Sequence, residues 1–67
     1  MKRPYVKDEW LEEAIASSLE VSVQPDGRIR HWIFVKEFQK YLRVVTLDDN
    51  ETVLNAFFDR GYKEKKP

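Results

Sequence analysis

The sequence predicts an α+β fold, one N-terminal helix packed on a four-stranded antiparallel β-meander, and three observations carry that expectation. Apolar residues recur at helical spacing only ahead of Glu20. Beyond Glu20 they alternate, or run as short β-branched and aromatic stretches. Those stretches are punctuated by Pro25-Asp26-Gly27 and Asp48-Asp49-Asn50, two clusters of turn residues. With 67 residues the chain has room for a single domain, 1–67.

The helix is expected over about 8–19. Asp8 is a credible N-cap, and Leu11, Ile15 and Leu19 form an i, i+4, i+8 stripe with Trp10 and Ala14 beside it. Glu12 and Glu13 fall on the solvent side, and early acids suit the positive end of the helix dipole. Ser17 and Ser18 weaken the end. So short a helix does not persist alone in water and must dock.

Strands follow at about 20–24, 28–35, 40–47 and 51–58, with a frayed tail over 61–67. In the first turn Pro25 presets φ, Asp26 caps, and Gly27 takes the left-handed position; in the last, Asn50 can turn left-handed. Three-residue turns pair Gln24 with Arg28, Val23 with Ile29, Leu47 with Glu51, Val45 with Val53, Arg43 with Asn55 and Tyr41 with Phe57. The four-residue connection Lys36–Gln39 pairs Val35 with Lys40 and Trp32 with Arg43.

This register sorts the sheet into two faces. One holds Val21, Val23, Ile29, His31, Ile33, Leu42, Val44, Leu54 and Ala56. The other holds Arg28, Arg30, Trp32, Phe34, Tyr41, Arg43, Val45, Val53, Asn55 and Phe57. A single short helix covers one face only. Arginines beneath a helix would each need a partner, so the aliphatic face is expected under the helix and the aromatic–basic face open.

Composition excludes several classes. Twelve Lys/Arg balance twelve Asp/Glu, so the net field is no argument for a polyanion; yet residues 28–43 carry +4 and 60–67 carry +3, against −5 over 4–26 and −4 over 44–59. Without cysteine there is no disulfide and no thiolate metal site, and one His without ligand-spaced partners argues against any metal. With glycine only at 27 and 61, neither phosphate-binding glycine loop is present, which excludes a nucleotide-hydrolysing enzyme and a nucleotide cofactor. No cofactor is expected. No apolar run approaches the roughly 20 residues of a membrane span and nothing resembles a signal peptide, so a cytoplasmic protein is expected.

The aromatic–basic face is the functional candidate. Rings interleaved with arginines suit single-stranded nucleic acid, whose bases stack and whose phosphates pair with Arg. Arg28, Arg30, Trp32, Tyr41, Arg43 and Asn55 are the binding candidates, with Trp32 and Arg43 expected as a cation–π pair. Two other readings fit the same residues: arginine stems finishing the surface of a sheet, or a protein interface, including a homodimer. Catalytic candidates are fewer: His31, read first as a core residue, and Asp59, Arg60 and Tyr62 at one edge of the sheet, more often a terminal ion pair and turn.

The segment from Gln24 to Tyr62 resembles a small bacterial family. The resemblance rests on Pro25-Asp26-Gly27-Arg28-Ile29-Arg30-His31-Trp32, on Tyr41-Leu42-Arg43-Val44-Val45-Thr46, on Glu51-Thr52-Val53, and on Asn55-Ala56-Phe57-Phe58-Asp59-Arg60. That family looks related to the RelE/ParE-type toxin superfamily, in which helices cover one face of an antiparallel sheet. The ribosome-dependent members hold and cut mRNA on the other face. Such toxins usually carry two helices ahead of the meander, where this chain offers one, and their cleavage residues match here only loosely, at Asn55, Asp59, Arg60 and Tyr62. The resemblance implies a toxin-like RNA-interacting module, whether a minimal or an inactive ribonuclease. The alternative is a non-catalytic module that binds an antitoxin-like protein, or a second copy, through the same face.

Overall fold

The computed structural model describes residues 6–63, so the end of the tail expected over 61–67, residues 64–67, lies outside the described residues. The elements run α1 (Asp8–Ser17), β1 (Glu20–Val23), β2 (Ile29–Val35), β3 (Lys40–Thr46) and β4 (Val53–Phe58). The strands form one antiparallel sheet in the order β1-β2-β3-β4. This is the expected helix-then-meander arrangement.

The helix starts and stops differently from its sequence reading. Lys7 occupies the N-cap in an extended conformation with no side-chain cap, and Asp8 is the first helical residue, adding its charge to that of Glu9 in the first turn. Lys7 instead ties the helix start to the β2–β3 loop, its Nζ donating to Glu37 at 3.0 Å and lying 5.6 Å from the Trp10 ring. Ser18 is already extended, so the helix ends before Leu19, which is exposed. The buried stripe is therefore Trp10, Leu11 and Ala14 rather than Leu11, Ile15 and Leu19.

That stripe covers Ile33, Val35, Leu42, Val44 and Ala56, with Val6, Val53 and Phe58 at the margin. The aliphatic face is thus the one under the helix. Each such aliphatic side chain contributes about 1.5–3 kcal/mol when fully buried. At one end, Trp10 meets Phe38 and Phe58 edge-on, with centroids 5.7 and 6.2 Å apart.

Turn chemistry fixes the first two hairpins as the sequence implied. Gly27 has φ +93°, the Arg28 N–H donates to Asp26 Oδ1 at 3.0 Å, and Val23 pairs with Ile29. Between β2 and β3, Val35 faces Lys40 and Trp32 faces Arg43.

The last hairpin departs from expectation. Its loop closes where the Leu47 N–H donates to the Thr52 carbonyl, because Asp49 accepts from the backbone of Glu51 and Thr52 and from the Thr52 hydroxyl. A bulge between Val45 and Thr46 adds a second slip and leaves Leu54 unpaired. Val45 consequently faces Asn55 and Arg43 faces Phe57, not Val53 and Asn55. Val53 faces Thr46 and moves to the helix side.

Candidate functional site

The register lays the face away from the helix out in rows across the strands. One row reads Ser22, Arg30, Val45, Asn55, and the next reads Glu20, Trp32, Arg43, Phe57. Arg28 with Gln24 lies on one side of these rows and Phe34 with Tyr41 on the other. The net slip of two residues in β4 preserves side-chain parity, so Asn55 and Phe57 keep the face that the sequence assigned.

The turn after β4 closes half of this face. Tyr62 stacks on Trp32, with centroids 5.0 Å apart and planes 16° from parallel, and meets Tyr41 edge-on. Its hydroxyl donates to Glu20 at 2.9 Å. Trp32 Nε1 donates to Asp59 Oδ2 at 3.1 Å, and Asp59 Oδ1 accepts from the Gly61 N–H. Trp32 is therefore buried, and Tyr62, expected in a frayed tail, is docked. The expected Trp32–Arg43 cation–π pair is not formed. Arg30 lies over Trp32, its guanidinium carbon 5.7 Å from the ring, and Arg43 lies 4.3 Å from Phe57, its cross-strand neighbour after the slip.

The other half is a basic cleft. Arg28, Arg30 and Arg43 line it with Gln24, Val45, Asn55 and Phe57 around a volume of about 190 Å³. The acids that answer the three cations are distant or exposed: Asp59 is 3.8 Å from Arg43, and Asp26 is 3.5 Å from Arg28 on open surface. Among the described residues Arg30 donates only to Ser22 Oγ, at 3.4 Å. Nε of Arg30, Nε of Arg43 and Oδ1 of Asn55 are buried without a hydrogen-bond partner among the described residues. An unsatisfied buried polar group costs about 1–3 kcal/mol, so these atoms call for water or a ligand group in the cleft.

The sequence-named residues other than Trp32, which lies beneath Tyr62, thus separate into three places. Arg28, Arg30, Arg43 and Asn55 converge in the cleft, joined by Gln24 and Phe57, which were not among the candidates and whose place in the cleft depends on the turns. Asp59, Arg60 and Tyr62 line a second cavity of about 270 Å³ with Tyr41, Lys40, Gln39 and Phe58. His31 is on the helix side of the sheet, buried, with Nε2 3.0 Å from Thr46 Oγ1 and Nδ1 unpartnered. Burial holds its pKa below the ordinary value of 6.5. It does not reach Asp59, Arg60 or Tyr62.

Among the described residues no group of three or more His, Cys, Asp or Glu could hold a metal ion, and no helix is long and apolar enough to cross a membrane. No family model matches the chain, and no curated protein or solved structure is similar to it at a significant level.

Proposed function

We propose that this protein is a single-stranded RNA-binding module that grips phosphates in the cleft of Arg28, Arg30 and Arg43 and does not cleave the strand. The observation that carries the reading is the convergence of three guanidinium groups on one cleft with two acids beside them among the described residues, Asp26 and Asp59. Phe57 and Asn55 form the cleft wall beside the cations, with the Arg43 guanidinium held 4.3 Å from the Phe57 ring. The choice of RNA over another polyanion rests on the resemblance of the segment 24–62 to a small bacterial family that looks related to the RelE/ParE-type toxins, and kinship with them is part of the proposal.

Binding without cleavage is favoured because two of the four catalytic candidates, Asp59 and Tyr62, are held in structural hydrogen bonds and a third, His31, is buried on the helix side of the sheet. Asp59 accepts from Trp32 and Gly61, and the Tyr62 hydroxyl is spent on Glu20. These bonds seat the turn on the sheet.

The test is a titration with a short single-stranded RNA across a range of salt. Log affinity should fall linearly with log salt, at about −0.7 per neutralised phosphate. Arg30→Ala and Arg43→Ala should each flatten the slope by about 0.7, whereas Phe57→Ala should weaken binding at unchanged slope. A parent protein that ignores RNA at low salt overturns the reading.

A further inference from the structure

The two edges of the sheet are not alike. β4 is bulged, which spoils it as a template for another strand. β1 pairs in unbroken register with β2 from Glu20 to Val23, and no described strand lies beyond it. The Gln24 N–H donates to the Arg28 carbonyl at 2.7 Å, which sets the phase of the ladder. By alternation Glu20, Ser22 and Gln24 bond toward β2, and the N–H and C=O of Val21 and Val23 point away from the sheet. Both residues are exposed, 52% and 67% respectively.

We infer that a second copy of this chain occupies that edge, β1 pairing antiparallel with β1 of its partner about a two-fold axis at Ser22. The edge is self-complementary in this register. Val21 sits opposite the partner's Val23 and Val23 opposite the partner's Val21, so the outward N–H and C=O groups of each satisfy those of the other in two reciprocal pairs. The four valines form one apolar patch on the helix side. Charge agrees: Glu20 falls opposite the partner's uncharged Gln24, and its carboxylate already accepts a hydrogen bond from Tyr62. Arg30 and the partner's Arg30 are three strand spacings apart, about 14 Å, beyond the roughly 8–10 Å over which exposed charges repel in ordinary salt. So short an interface makes a weak, concentration-dependent dimer.

The two-fold axis stands perpendicular to the sheet, so both arginine clefts open on the same side of an eight-stranded sheet. If the clefts bind RNA as proposed above, one strand can engage both, but the dimer does not depend on it.

Sedimentation equilibrium of the full chain, without RNA, tests the pairing. The mass should rise from one chain, 8.1 kDa, toward twice that as concentration approaches about 1 mM. The double variant V21K/V23K places lysines opposite lysines and should stay at one chain, with unchanged circular dichroism. The variant V21E/V23K places each Glu opposite the partner's Lys and should restore the dimer. A parent that stays at 8.1 kDa throughout, or two double variants that behave alike, overturns the inference. The RNA salt slope of the monomeric V21K/V23K variant reports separately on the cleft.

Discussion

Trp32 and Tyr62 stack nearly parallel, 5.0 Å between centroids, so the last described turn of the chain serves as a lid on the sheet face opposite the helix. The lid is pinned at both ends, by the Tyr62 hydroxyl on Glu20 and by Asp59 on Trp32 Nε1. A sheet of four strands with a single helix has only one covered face. This turn supplies part of a second covering layer and leaves the arginine cleft as the open remainder.

Removing the lid should be felt at Trp32. Tyr62→Ala forfeits an aromatic pair worth about 0.5–1.5 kcal/mol beyond its buried area, and the Glu20 hydrogen bond with it. In a Trp10→Phe background the emission of Trp32 should shift to the red. Tyr62→Phe should retain the blue emission and cost only the hydrogen bond, about 0.5–1.5 kcal/mol. Identical spectra for parent and Tyr62→Ala would show that the turn does not cover Trp32.

The covered face has its own test. Leu42 is wholly buried, opposite Ile33 and in the same core as Ala14 of the helix. Leu42→Ala should cost about 2–5 kcal/mol in urea unfolding, much of the stability of so small a domain. An unchanged midpoint would place Leu42 on the exposed face.

The middle hairpin was legible because alternation on both strands and a four-residue loop agree on one register. The last was not, since two side-chain events set it. Asp49 organises Glu51 and Thr52, and Leu54 bulges out. Val53 and Leu54 are equally apolar, so the pattern does not say which one faces the helix. Arg28, Arg30, Arg43 and Asn55 were legible as a group because a slip of two residues preserves faces. Trp32 was misread as open because its burial is decided by Tyr62, which no local periodicity connects to it. The helix end was misplaced for a similar reason. Leu19 continues the apolar spacing, but its N–H bonds the Trp32 carbonyl and already belongs to the sheet.

His31 gives the fold a pH dependence of known sign. Burial depresses its folded pKa below 6.5, so below that pH the unfolded chain takes up the proton first. Its neutral form is fully accommodated above pH 6.5, and stability should decline as pH falls below that value toward the folded pKa. Asp49 and Glu37, whose pKa values are lowered chiefly by hydrogen bonds from Thr52 and Lys7, weaken the fold only at more acid pH, below 3.8 and 4.5 respectively. Urea unfolding at pH values from about 7.5 down to 5 should therefore show a loss that His31→Gln abolishes. A parent protein equally stable across that range would mean that His31 protonates in place.

Asp59 separates binding from catalysis most sharply. Its carboxylate lies 3.8 Å from Arg43 and competes with any phosphate for that guanidinium. Asp59→Asn removes the competing charge. Trp32 Nε1 and the Gly61 N–H donate to different oxygens of Asp59, and Asn puts an NH2 donor in place of one of them, so the variant should lose about 0.5–1.5 kcal/mol of stability and still fold. Partly exposed ion pairs are worth about 0.2–1 kcal/mol, so freeing Arg43 should raise affinity for single-stranded RNA by up to about fivefold at low salt. The salt dependence should steepen as well, because Arg43 then neutralises phosphate alone. A general acid or base at this position predicts the reverse: a parent that cuts RNA, and an Asp59→Asn variant that binds as before and cuts no longer. Titration and a gel of the recovered RNA, run on the same samples, distinguish the two. Tighter, more salt-sensitive binding of intact RNA by the variant is the outcome expected of a module that holds its ligand and leaves it whole.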